Sequence, residues 1–147
     1  MEISRLRKLI ISIFKNHKLS KKHSIICANA LINAELVGAS SHGVARISSY
    51  CNRLKKQVIN PKPKIKIRKI SPSITSIDSD NAIGFIGADI GINHAIKNAK
   101  KSGIGLVAVK NSGHYGLSGY YAERAANQNL LAFSFTNAPP AIAPYGA

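Results

Sequence analysis

Apolar residues recur at helical spacing from the first turn of the chain. Ile3, Leu6, Ile10, Ile13 and Phe14 predict a helix over residues 3–16. Ser20 then offers an N-cap, and the run KKHSIICANALINAELV predicts a second helix that Gly38 stops. Beyond Gly43, the residues Val44, Ile47, Cys51, Leu54 and Val58 are spaced three, four, three and four apart. That spacing predicts a third, amphipathic helix with those side chains as its buried stripe. Pro61 and Pro63 end it and mark a boundary, dividing a helical segment (residues 1–60) from an α/β segment (residues 61–147).

The period then changes. Alternation in KIKIRKI predicts a strand with one wet, basic face, and SITSID predicts a second strand. DSDN reads as a turn. A helix is expected from about Gly87 to Ser102, with Ala88, Ala95, Ile96 and Ala99 as packing residues and Gly103 as its stop. IGLVAVK reads as a buried strand, NSGHYG as a loop, SGYYAERAANQ as a helix and LLAFSFT as a further strand, before an irregular NAPPAIAPYGA. Strand, loop, helix and strand from Ile104 to Thr136 make a βαβ unit, which implies parallel strands. The fold class is therefore α/β, or α+β over the whole chain. Ligands of parallel sheets bind beyond the carboxyl ends of the strands, where NSGHYG and TNAPP both fall.

Composition narrows the possible partners. Of 147 residues, 21 are Lys or Arg and 6 are Asp or Glu, a net charge of +15. The basic residues are spread along the chain, which suits a solvated surface better than a nucleic-acid-binding module. The densest cluster, PKPKIKIRKI, lacks the aromatic residues on which bases stack. No apolar run reaches the roughly 18 residues of a membrane span. The basic, amphipathic N-terminus reads as a mature helix, since Lys15 interrupts its apolar run and no small-residue cleavage site follows. Cys27 and Cys51 lack metal-ligand spacing and read as buried thiols of a reducing, cytoplasmic compartment. No metal site is expected.

Two stretches carry candidate chemistry. On a continuous helix starting at His42, Arg46 lies about 40° and Tyr50 about 80° around the axis, whereas the apolar stripe centres near about 160°. An imidazole, a guanidinium fork and a phenol then share one column. The fork suits a carboxylate and the imidazole can move a proton near neutral pH. The same spacing also describes a solvated helix face capped by a histidine. The second stretch is NSGHYGLSGY, where glycines on both sides of His114 allow close approach of a ligand. His114 is either an acid/base or carbonyl-polarising group, or a histidine bonded within its own turn. His17, His23 and His94 read as surface residues. The glycines of GFIGADIG match neither a dinucleotide fingerprint nor a phosphate loop, and are assigned to packing.

SSHGVARISSY, KNSGHYGLSGYYAERAA and SFTNAPPAIAPYGA, in that order, resemble the malate/L-lactate dehydrogenase family of non-Rossmann type, across essentially the whole chain. The resemblance implies N-terminal helices followed by a family-specific sheet domain that binds NAD or NADP, so a missing dinucleotide fingerprint is expected. It implies an oxidoreductase that interconverts 2-hydroxy and 2-oxo acids, usually as a homodimer. By motif, His42 resembles a histidine assigned as proton donor in some members, and His114 one assigned as proton acceptor in others. Arg46 resembles the arginine that grips the substrate carboxylate. Thr136, Asn137 and Ala138 resemble a loop that touches the cofactor. Ala138 stands where the family often has Ser, which removes one hydroxyl contact. Family members are also substantially longer. The chain is therefore expected to be an N-terminal portion, a remnant or one piece of a split enzyme, with weak or no turnover alone.

Overall fold

The computed structural model describes residues 2–137. Its first two helices, α1 (Ile3–Asn16) and α2 (Lys21–Leu36), form a hairpin. Ser20 caps α2 as expected: its hydroxyl accepts from the His23 N–H at 3.2 Å. Ile10 and Phe14 are the inward residues of α1, each worth about 1.5–3 kcal/mol when fully buried. α2 is buried on more than one side, because α1 and two later helices pack against it. Gly38 (φ 77°) closes α2 in a left-handed conformation.

The passage that follows is not one continuous helix. Two short 3₁₀ turns, Ser40–His42 and Val44–Arg46, flank a non-helical Gly43 and precede α3 (Ile47–Lys55). The expected column of His42, Arg46 and Tyr50 is therefore broken at Gly43, where the helical rotation per residue does not apply. The buried stripe moves as well. Tyr50 and Leu54 are the buried residues of α3, and Val58, beyond the helix end, is 53% exposed.

Three strands follow in the spatial order β1 (Lys66–Lys69), β2 (Ile74–Ala82), β3 (Leu106–Ser112). β1 runs antiparallel to β2, pairing Lys66 with Asp78 and Lys69 with Thr75. β3 runs parallel to β2, and the crossover between them is α4 (Gly84–Ser102). The anticipated DSDN turn lies inside β2 as an irregularity. Asp80 and Asn81 take positive φ angles there, and the buried positions switch from Thr75, Ile77 and Ser79 to Ala82. Between Asp78 and Ala82, β2 advances four residues while β3 advances two, from Lys110 to Ser112, and the buried face changes across this irregularity. α4 then lies against β2 and β3, with Gly87 and Gly91 allowing close contact with Ser79 and Val109. This supports the packing assignment of GFIGADIG.

β3 was expected to be buried. Its residues are mostly exposed, including Leu106 at 56%, because only its β2 side is paired and only one face meets α4. After α5 (Ser118–Ala126), the expected strand LLAFSFT does not form: residues 130–137 have no regular structure. Leu131, Phe133 and Phe135 all project into solvent, and among the described residues no layer covers them to reward pairing. The parallel βαβ unit is thus β2–α4–β3, one unit earlier in the chain than the pattern indicated. The mixed α/β class holds. Among the described residues, an apolar cluster joins Ile10, Leu31 and Tyr50 to Ile83, Phe85 and Ile86, spanning the helices and the start of α4. No helix among the described residues is long and apolar enough to cross a membrane.

Candidate active site

Two loops, one after α2 and one after β3, bring His42 and His114 together. Their imidazole centroids are 5.7 Å apart, with planes inclined by 26°.

The first loop is anchored by a carboxylate. Glu35, in the last turn of α2, accepts the Val44 N–H at 2.7 Å. Gly43 permits this, since a Cβ there would overlap the Glu35 carboxylate. Within the loop the Ser41 hydroxyl lies 3.0 Å from His42 Nδ1, and Arg46 Nε donates to the Ser41 carbonyl at 2.9 Å. That bond uses one edge of the guanidinium. Its terminal nitrogens have no acidic partner among the described residues.

The second loop rests on backbone. The Gly113 N–H donates to the Ala82 carbonyl at 3.2 Å, and Gly84 lies so close that a Cβ on it would overlap the carbonyl oxygens of Gly113 and His114. Gly116 takes φ 81° above the Phe85 ring, a conformation and a clearance that suit glycine. Tyr121 Oη donates to the Tyr115 carbonyl at 2.8 Å. The His114 side chain reaches solvent on one side. On the other, its Nδ1 lies 2.7 Å from Tyr50 Oη and 3.3 Å from the Gly116 N–H. Tyr50 in turn meets Phe85 edge-on at 5.2 Å.

The electrostatics follow from this crowding. Partial burial, then the positive charge of Arg46, then His42 and Arg53, hold His114 below its ordinary value of 6.5. Burial pushes the Tyr50 phenol up, only partly opposed by Arg46, so it keeps its proton. A neutral His114 imidazole, a protonated phenol and a guanidinium with a free edge therefore stand together at a solvent-facing surface. Such a group can bind a carboxylate and polarise an adjacent oxygen.

Of the residues singled out from sequence, His42, Arg46 and His114 converge. Thr136 and Asn137 lie on the irregular segment after α5, exposed, with the Thr136 hydroxyl donating to the Asn137 carbonyl at 3.2 Å. Their segment is tied to the His114 loop by a 3.1 Å contact between Tyr115 Oη and Ser134 Oγ. Ala138 lies outside the described residues. Two contributors went unassigned. Tyr50 was placed on the polar face, although its position four residues before Leu54 and three after Ile47 fits the stripe. Glu35 had a visible signal too: it is the only acidic residue between Glu2 and Asp78. His23, read as a surface residue, is half-buried, and burial followed by the Lys22 charge lowers its pKa.

Comparison with known proteins identifies the family. A family model described as malate/L-lactate dehydrogenase matches residues 1–147. An L-sulfolactate dehydrogenase of Methanocaldococcus jannaschii is 41% identical over 140 residues, covering 95% of this chain and 41% of that protein. The ureidoglycolate dehydrogenase (NAD(+)) of Escherichia coli O157:H7 is 32% identical, covering 99% of this chain and 42% of its own length. The structure of malate dehydrogenase from Pyrococcus horikoshii superposes with a TM-score of 0.84 at 35% identity, over 87% of this chain and 37% of the other. The chain thus spans about two fifths of the length of the curated relatives it matches.

Proposed function

The chain belongs to the malate/L-lactate dehydrogenase family, and we propose that it carries the substrate-gripping part of an enzyme that interconverts a 2-hydroxy acid and a 2-oxo acid with NAD or NADP. One observation carries the proposal: His114, far away in sequence, is brought beside the loop that carries His42 and Arg46. The relatives named above act, by their names, on malate, sulfolactate and ureidoglycolate, which share a carboxylate beside a hydroxylated carbon. The free edge of Arg46 suits that carboxylate, through two parallel charge-assisted hydrogen bonds. The histidines then flank the neighbouring oxygen, where a proton must be added or removed.

The residues present also fit part of a nicotinamide site. Thr136 and Asn137 offer an exposed hydroxyl and an exposed amide, on a segment fastened to the His114 loop. These groups suit the polar rim of a nucleotide and would supply one edge of its cradle. When bound, a nicotinamide supplies or takes the hydride at the substrate carbon. Arg46 fixes the acid, and the imidazoles manage the oxygen and its proton.

The test is binding, because it does not depend on a complete pocket. Titrating malate into histidine-labelled protein should shift the ring signals of His42 and His114 saturably. Arg46→Ala should weaken that binding about 10- to 100-fold, as expected for loss of about 1.5–3 kcal/mol of charge-assisted bonding. Equal binding by the variant would remove Arg46 from the role. No saturable shift in the wild type would remove the site.

A further inference from the structure

The two histidines are held by partners of different kinds. His42 Nδ1 faces the Ser41 hydroxyl at 3.0 Å. A serine hydroxyl rotates, donating to a bare nitrogen or accepting from a protonated one. His42 can therefore gain or lose a proton without losing its contact. His114 has no such freedom. The Gly116 amide, 3.3 Å from His114 Nδ1, can only donate. A hydrogen on that nitrogen would point at another hydrogen. Tyr50 Oη, 2.7 Å from the same nitrogen, is buried and protonated, so it completes the arrangement as a second donor. Edge contact with Phe85 fixes the phenol ring in place.

We infer that Tyr50 is a positioning residue which, with the Gly116 amide, holds His114 as its Nε2–H tautomer, so that His114 offers substrate a hydrogen bond and leaves the moving proton to His42. The surroundings agree. Partial burial disfavours a charged His114 ring, and Arg46, His42 and Arg53 add positive charge toward it, so its neutral form is favoured. Two imidazolium rings stacked at 5.7 Å would repel, which suits one proton shared by the pair.

The mechanistic meaning rests on the dehydrogenase reading above. In the reducing direction the carbonyl oxygen accepts a hydrogen bond from His114 Nε2–H. A bound reduced nicotinamide would supply the hydride to the carbonyl carbon and would itself be oxidised. The carbon–oxygen π pair moves onto oxygen, and that oxygen takes its proton from His42, which is left neutral. In the oxidising direction His42 accepts the hydroxyl proton while His114 keeps its own.

The tautomer can be read without turnover. Nitrogen-15 NMR of histidine-labelled protein, above the imidazole titration range, distinguishes Nε2–H from Nδ1–H for each ring. Wild-type His114 should show a single Nε2–H pattern. Tyr50→Phe should move its Nδ1 signal toward the average of two exchanging tautomers, since only the longer Gly116 contact then remains. An Nδ1–H pattern in the wild type would overturn the inference, and this measurement needs no variant to fold. An unchanged His114 pattern in a folded Tyr50→Phe chain would overturn the part assigned to Tyr50. Failure of malate to bind would sink the proposed function but leave the tautomer standing. An Nδ1–H His114 in a chain that binds malate would do the reverse.

Discussion

The loop after α2 and the loop after β3 each deliver one histidine, but they are built to different tolerances. The His42 loop hangs from a side chain: the Glu35 carboxylate holds the Val44 amide, and a rotating Ser41 hydroxyl attends the ring. The His114 loop is pressed onto backbone at Gly84 and onto the Phe85 ring, and its own Gly116 amide, a donor only, faces the His114 ring nitrogen. Side-chain anchors can swing; backbone and a packed aromatic cannot without moving an element. The contrast teaches how a site can keep one histidine adaptable and another fixed. The adaptable one is suited to change protonation state, and the fixed one to present a constant hydrogen bond.

Phe85→Ala should break this contrast most severely. It removes the surface beneath Gly116 and the edge contact to Tyr50, leaving Glu35 and Val44 untouched. A fully buried Phe cut to Ala costs about 3–5 kcal/mol, readable from chemical denaturation. A loss well under that range would show that the His114 loop does not depend on this ring.

A matched pair of substitutions sharpens the comparison. Gly84→Ala should cost about 3 kcal/mol, because the added methyl meets the carbonyls of Gly113 and His114 and the backbone must shift. Gly43→Ala should cost about 1 kcal/mol, because the Glu35 carboxylate can swing aside, losing its bond to Val44. Denaturation midpoints of the two variants make the check. Equal costs would mean that the loops are equally rigid.

The smallest effect is with pH. His114 is held below its ordinary value of 6.5, so the unfolded chain binds the proton more readily than the folded one. Its contribution to stability is fully present above pH 6.5 and is lost as pH falls below that value toward the depressed folded pKa. His23, lowered mainly by burial, acts in the same direction. Stability should therefore decline on mild acidification, and His114→Asn should flatten part of that decline. A profile of unchanged slope in the variant would assign the pH dependence elsewhere.

Legibility from sequence followed the range of the forces involved. α1, the Ser20 cap and the glycine stops of α2 and α4 were readable because they depend on neighbours within a turn or two. The motifs around His42, Arg46 and His114 were readable as candidates because glycine, imidazole and guanidinium are informative side chains in a chain rich in Lys and Ile. Tyr50 was misplaced because it was grouped with His42 and Arg46, which lie outside α3, instead of with Ile47 and Leu54, which share its helix. β3 was expected to be buried because its residues are apolar, yet apolarity records a tendency to be covered and does not supply the cover. LLAFSFT has the alternation of a strand but finds no partner among the described residues, and pairing is a long-range property.

The sequence by itself determined the mixed α/β class, the first two helices and the kinds of chemistry available, since local spacing and side-chain identity are sufficient for these. Only the tertiary structure decided that the two histidines meet, that a buried phenol and a backbone amide share one ring nitrogen, and that a lone glutamate holds the opposite loop. Those facts depend on contacts between residues as far apart as Tyr50 and His114, and such contacts exist only once a common core has brought the two halves together.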